Sequence, residues 1–167
     1  MLIRNARLTD AVPIQKLLMD YISQGIVLSR SLVEIYQAIR EFKVAEENGI
    51  LCGVCSLHIW WEDLGEVRSL VVRPERERQG IGRRLVEASL EEARQMGLKR
   101  VFALTYKPGF FSRLGFSMVD KSELPQKIWG DCVKCAKFPQ CDETAVSLRL
   151  NSARQPSDWE AAPAPGA

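Results

Sequence analysis

"SLVVRPERERQGIGRRLVEASLEEARQMGLKRVFALT", residues 69–105, decides the fold. Its apolar run, Leu70 to Val72, leads into a charged turn that holds two glycines one residue apart, Gly80 and Gly82. Ile81, Leu85, Val86, Leu90 and Ala93 then recur at helical spacing, with Gly97 as the stop. A second apolar run, 99–105, closes the unit. Strand, glycine turn, helix and strand in this order imply two parallel strands joined by a right-handed crossover. The glycines have two readings. One is a capped helix start with solvated arginines. The other is an anion site, because glycine lets backbone N–H groups approach a phosphate where the helix dipole favours negative charge. Arg78, Arg83 and Arg84 add positive charge, and strand, helix and basic flank together favour a pyrophosphate on residues 78–83. The spacing matches neither G-x-x-x-x-G-K-[ST] nor G-x-G-x-x-G, since Leu85 stands where a third glycine would fall.

Working outward, "LIRNARL" (2–8) alternates like a strand. Thr9 and Asp10 can cap a helix whose face is Ile14, Leu17, Leu18 and Tyr21, with Pro13 in its first turn and Gly25 after it. A second helix is expected from about Ser31 to Arg40. Asn48-Gly49 is a hairpin turn dipeptide inside "FKVAEENGILCGVCSLHIWW". "EVRSLVV" (66–72) is the strand before the glycine turn. "PGFFSRLGF" reads as a short helix, and "FSMVD" and "TAVSLRL" (144–150) as the last strands. The order is β-α-α-β-β-β-α-β-α-β-β, a mixed sheet.

At 167 residues one domain is expected over 1–150, followed by an Ala-, Pro- and Ser-rich extension over 151–167. The net charge of +2 gives no global argument for nucleic acid, and no apolar run is long enough to span a membrane. The chain has no secretory pattern at Leu2-Ile3-Arg4-Asn5, so a cytoplasmic location is expected. Five cysteines point to free thiols or metal ligands rather than a disulfide framework. Cys52 and Cys55 lie three apart on a strand, which predicts opposite faces and argues against a shared metal. Cys132, Cys135 and Cys141 could begin a zinc site with Asp131 or Asp142, against the simpler reading of a compact loop with buried thiols.

"SLVVRPERERQGIGRRLVEASLEEA" resembles the acetyl-CoA-binding segment of the GNAT superfamily of N-acetyltransferases, and "FFSRLGF" resembles its later motif. "GIVLSRSLVEIYQAIREFKVAE", "LHIWWEDLGEVRSLVV", "VFALTYKPGFFSRLGF" and "ELPQKIWGDCVKCAKFPQCDETAV" narrow the resemblance to the short, single-domain N-acetylglutamate synthases of arginine biosynthesis. The resemblance implies an α/β (α+β) fold. Its mixed, mostly antiparallel sheet would open in a V-shaped splay between two parallel strands, with helices on both faces. It implies acetyl-CoA as cosubstrate, an amino acid as acceptor, and no metal requirement. It leaves a homodimer open. A further amine, such as glutamine or a protein N-terminus, is one alternative acceptor, and a catalytically idle acetyl-CoA-binding module is an alternative of another class. The long synthases carry arginine control in a kinase-like domain for which this length leaves no room.

The same resemblance assigns roles. Leu70, Val71, Val72, Arg78, Gln79, Gly80, Ile81, Gly82, Arg83 and Phe111 would meet acetyl-CoA, with backbone N–H groups near Val71 to Arg73 donating to the pantetheine and the thioester carbonyl. Glu66 stands where related enzymes carry a general base, and Arg68, two residues on, shares its strand face and could clamp a carboxylate. Arg30 and Lys127 are further carboxylate candidates, each equally well read as a solvated side chain. Two positions depart from the superfamily pattern. Glu77 replaces a usual Gln or Arg, and Phe111 replaces a tyrosine proposed to protonate the leaving thiolate. Tyr106 is then the nearest hydroxyl in sequence, with water as its competitor. His58, the single histidine, is read as packing beside Trp60 and Trp61.

Overall fold

A computed structural model describes residues 1–25, 29–125 and 142–151, and the expected order of elements is found in it. The elements are β1 (Leu2–Asn5), α1 (Ala11–Ile22), α2 (Leu32–Gln37), β2 (Phe42–Glu47), β3 (Ile50–Trp61), β4 (Leu64–Val72), α3 (Ile81–Gln95), β5 (Arg100–Thr105), α4 (Pro108–Ser112), β6 (Ser117–Met118) and β7 (Thr144–Arg149). β1 stops short of the expected Leu8, because Leu8–Asp10 winds into a 3-10 turn. Asn48 and Gly49 take φ of 52° and 76°, the left-handed pair that the hairpin turn between β2 and β3 requires.

The sheet runs β1-β2-β3-β4-β5-β7-β6, with β4 and β5 parallel and the other neighbours antiparallel. The parallel register is Leu64↔Arg100, Gly65↔Val101 and Glu66↔Phe102, and there it stops. β4 continues against β3 as far as Val72, while β5 continues against β7 as far as Thr105. The two strands therefore part after Glu66, which is the splay that the resemblance implied.

α3 packs on one face through Ile81, Leu85, Val86, Leu90 and Ala93, against Leu57, Val67, Val101 and Ala103 of the strands. α1 and α2 cover the other face through Ile14, Leu18 and Ile35, against Phe42, Val44 and Val54. Two of the three register shifts in the sheet redirect side chains between these cores. The β2–β3 register jumps between Ala45↔Gly53 and Glu46↔Leu51, leaving Cys52 as the extra residue. Cys52 and Cys55 consequently lie in the same core under α3, not on opposite faces as their spacing predicts. Burial pushes the Cys55 thiol up to about 12, so it is a protonated packing group. In β4 the register shifts between Arg68 and Val71, where Ser69 takes φ 54°. Val67 faces α3, and after the bulge Leu70 and Val72 return to that face, while Val71 packs under α1.

Asp10 does not cap α1 with its side chain. Its carboxylate accepts instead from the Arg7 backbone N–H at 2.6 Å and from Arg4 Nη1 and Nη2 at 2.7 and 3.0 Å. Arg4 Nε also donates to Glu46 at 2.8 Å. The cluster ties the edge strand β1 to β2 and to the entry of α1. The Arg4 hydrogen bonds hold the Asp10 carboxyl below the usual carboxylate range, against the opposing effect of burial. A depressed folded value stabilises the fold above the ordinary carboxyl pKa, and this contribution is lost as pH falls through the lower folded value. Asp10→Asn should cost about 1–3 kcal/mol in urea denaturation at neutral pH. The gap between variant and wild type should narrow and then close as pH falls below the ordinary carboxylate range.

Candidate active site

The turn between β4 and α3 is built for an anion. Arg78 and Gly80 take φ of 61° and 77°, two left-handed residues separated by one. Alternation of this kind turns successive N–H groups inward into a nest. α3 begins at Ile81 with no side-chain cap, and its first intrahelical bond runs from Arg84 N–H to the Gly80 carbonyl at 3.1 Å. Side chains therefore leave the N–H groups of Ile81, Gly82 and Arg83 to a ligand at the positive end of the dipole. Arg83 supports the loop less than its charge suggested, because its Nε donates to Glu87 at 2.7 Å one turn along. A Cβ on Gly82 would lie 3.5 Å from Phe110 and 3.7 Å from Val72, so the glycine borders the aromatic wall of α4 and the end of β4.

Phe110 is the residue that provides this wall. Phe111, expected beside the thiolate, is 5% exposed and stacks edge-on between Phe110 and Phe116 in the core. The buried face of the short α4 takes Phe111, and Phe110 is the ring that stands beside Gly82. The donors expected near Val71 to Arg73 narrow to Val72. The Arg73 N–H is occupied by the Cys52 carbonyl at 2.8 Å. Alternation along the strand turns Val72 the other way, and its carbonyl accepts from the Tyr21 hydroxyl.

At the fork of β4 and β5 lies Glu66, 8% exposed. Trp60 Nε1 donates to its Oε2 at 2.8 Å. Arg68 Nη1 stands 3.9 Å from the same oxygen, on the shared strand face. Arg68 Nη2 stands 3.9 Å from Oε2 of Glu41, which reaches in from the turn before β2. Burial, and then the neighbouring Arg68 cation, push the Arg30 guanidinium below its ordinary value, while Glu41, Glu66 and Glu34 pull it up. The chain thus gathers Glu66, Arg68 and Arg30 into one electrostatic cluster from positions far apart in sequence. Arg30 Nε is buried with no hydrogen-bond partner among the described residues.

Sequence reasoning missed Trp60, Glu41 and Phe110, and it read His58 as packing. His58 does stack edge-on against Trp60, at 4.8 Å between ring centres, but its Nδ1 also contacts both Glu41 oxygens at 3.0 and 3.1 Å. The alternation of His58 and Trp60 opposite Glu66 was the available signal. Tyr106 follows β5 as expected, and its hydroxyl donates to Asp142 at 2.8 Å. Lys127, Cys132, Cys135 and Cys141 lie outside the described residues.

The sequence profile of the acetyltransferase (GNAT) family matches residues 16–116. The chain belongs to this family. An uncharacterized N-acetyltransferase of Chlorobaculum tepidum is 42% identical over 148 residues, covering 89% of this chain and 96% of its own. An amino-acid acetyltransferase of Mycobacterium tuberculosis is 38% identical over 132 residues, 77% of this chain and 75% of its own. The N-acetylglutamate synthase of Neisseria gonorrhoeae, solved with coenzyme A and N-acetyl-glutamate, superposes with a TM-score of 0.83 at 30% identity. That match covers 90% of this chain and 35% of the gonococcal one.

A GNAT acetyltransferase draws its acetyl group from acetyl-CoA, and the loop fits that donor. The nest and the uncapped first turn of α3 suit a pyrophosphate, and the parted strands leave room for a narrow pantetheine arm. Gly82→Asp places a carboxylate among the N–H groups that would meet the pyrophosphate. The folded variant should lose acetyl-CoA binding by at least about tenfold in calorimetric titration. Unchanged affinity would move the pyrophosphate elsewhere.

Proposed function

We propose that this protein transfers the acetyl group of acetyl-CoA to the α-amine of L-glutamate, the first step of arginine biosynthesis, in the cytoplasm. The observation that carries the reading is the placement of Glu66 at the strand fork with Arg68 and Arg30 beside it. A carboxylate next to two guanidiniums suits an acceptor that brings one ammonium and two carboxylates. Relatives named as amino-acid acetyltransferases support an amino-acid acceptor. The N-acetyl-glutamate held by the gonococcal structure supports glutamate among them.

The steps assigned to the residues are these. Arg68 and Arg30 hold acceptor carboxylates through charge-assisted hydrogen bonds. Glu66, directly or through a water, takes a proton from the α-ammonium, freeing the lone pair for attack on the thioester carbonyl. Trp60 fixes the carboxylate for that task. The Val72 N–H, turned away from β3, donates to the oxyanion or to the pantetheine, with Leu70 and Val71 lining the arm. Arg78, Gln79, Gly80, Ile81, Gly82 and Arg83 carry the pyrophosphate, and Phe110 closes the wall beside it. The amine adds to the carbonyl carbon, the oxyanion re-forms the carbonyl as the C–S bond breaks, the nitrogen releases its second proton to water, and the thiolate takes its proton from water or from Tyr106, which solvent then reprotonates. A coenzyme A thiolate is a good leaving group, so this last proton matters less than the first.

A panel of amino acids tested by thiol release from acetyl-CoA decides the acceptor. Glutamate should give the highest kcat/KM. Preference for glutamine would shift the assignment to a neutral side chain, and release with none would leave a binding module. Glu66→Gln should lower kcat by more than Tyr106→Phe, whose loss should fall at or below about 100-fold. The reverse order at saturating substrates would make the tyrosine the central proton carrier.

A further inference from the structure

Five charged or polar side chains meet on the α1/α2 face of β3 and β4, and the steps above use only part of them. His58 lies directly across from Glu66, and Ser56 across from Arg68. Arg68 spans two carboxylates, Nη1 at 3.9 Å from Glu66 and Nη2 at 3.9 Å from Glu41. Both contacts are within ion-pair range and both are longer than a hydrogen bond. Glu41 has a closer partner, since His58 Nδ1 reaches its two oxygens at 3.0 and 3.1 Å. An ionised carboxylate can only accept, so the proton of this contact sits on Nδ1. Trp60 then links the two halves, stacking edge-on against His58 and donating to Glu66.

We propose that Glu41, anchored by His58, is a positioning residue for acetyl transfer: it draws Arg68 away from Glu66 and keeps that guanidinium turned to the acceptor's carboxylate. The inference rests on the roles of Glu66 and Arg68 proposed above. Its physical basis is competition between Glu41 and Glu66 for one cation. A shift of about 1 Å would turn the 3.9 Å contact between Arg68 and Glu66 into a hydrogen bond. Such a bond would hold the negative charge of Glu66 and make it a poorer proton acceptor, and it would consume donors meant for the substrate. Glu41 opposes that collapse from the far side of the guanidinium. His58 keeps Glu41 from closing fully on Arg68 in its turn.

The test is a Glu41→Gln crystal structure together with a double-mutant cycle. In the variant structure, Arg68 should close to within about 3.2 Å of Glu66. An Arg68 that keeps its place would overturn the inference. In kinetics, Glu41→Gln should lower kcat/KM for the amino acid about tenfold, through a weaker base and a diverted carboxylate clamp together. The KM for acetyl-CoA should stay within about twofold, which a general loss of structure would not allow. Arg68→Lys alone should raise the KM for the amino acid, since lysine lacks the fork. In the Arg68→Lys background Glu41→Gln should cost no more than about threefold, because the two act through one cation. Equal costs in both backgrounds would make Glu41 independent of Arg68 and refute the proposal. If Glu41→Gln does not fold, His58→Ala should show the same pattern more weakly, and His58→Asn, which keeps a donor near the Nδ1 position, should restore it. A folded His58→Ala with wild-type kinetics would also refute it. Should the wild type acetylate no amino acid, the functional reading fails, while the Arg68–Glu66 distance in the variant structure still decides this one.

Discussion

Three residue pairs of parallel ladder, ending at Glu66↔Phe102, govern the rest of the molecule. A parallel pair that continued would seal β4 to β5 and leave no path for a ligand between them. Both strands instead complete their hydrogen bonding elsewhere, β4 on β3 and β5 on β7, so parting leaves neither of them without a ladder. The bulge at Ser69 assists by twisting β4 locally. It also returns Leu70 and Val72 to the α3 side, so that β4 beyond the fork stays packed while its far edge pairs with no strand among the described residues. The helix that follows must then begin near the mouth of the opening, because the chain turns at residues 73–80 and packs back on the same sheet. An uncapped helix start and an open strand edge are thus consequences of one topological choice.

The charges at the fork follow from the same arrangement. Glu66, Arg68 and His58 share one face because β3 and β4 stay in register from Ser56 to Ile59, Trp60 reaches Glu66 from the register shift just beyond, and Glu41 joins them from the turn before β2. Charges taken out of water destabilise a fold unless they are paired. Here each has a partner of opposite sign or a donor within reach. The Arg4–Asp10–Glu46 cluster at the other end of the sheet shows the contrasting case. Its contacts are short and hydrogen-bonded, and its work is to hold an edge strand. The fork instead mixes short hydrogen bonds, Trp60 to Glu66 and His58 to Glu41, with ion pairs of 3.9 Å on Arg68.

Much of this was legible in the sequence. The order of elements, the hairpin turn, the glycine loop before α3 and the face shared by Glu66 and Arg68 all follow from spacings of two to four residues. Backbone sterics and side-chain periodicity fix such patterns locally. The resemblance carried by residues 69–93 and 110–116 added the splay and the donor. What failed were readings that depend on partners far along the chain. Asp10 was expected to cap α1 and instead accepts from Arg4 and Arg7. Cys52 and Cys55 were expected on opposite faces and share a core, because one extra residue in β3 resets the alternation. Phe111 was expected to face the ligand and is buried, with Phe110 taking the wall.

The sequence alone therefore determined which elements form, where they turn and which residue types are offered at each strand position. Tertiary structure decided which offers meet. Glu41 and His58 are 17 residues apart, and Glu41 and Arg68 are brought together across two strands. A single bulge moves every later side chain of a strand to the opposite face, and bulges depend on how neighbouring strands settle against the packed helices. Local pattern cannot encode that choice, because its energy lies in contacts that exist only after the sheet has closed around its cores.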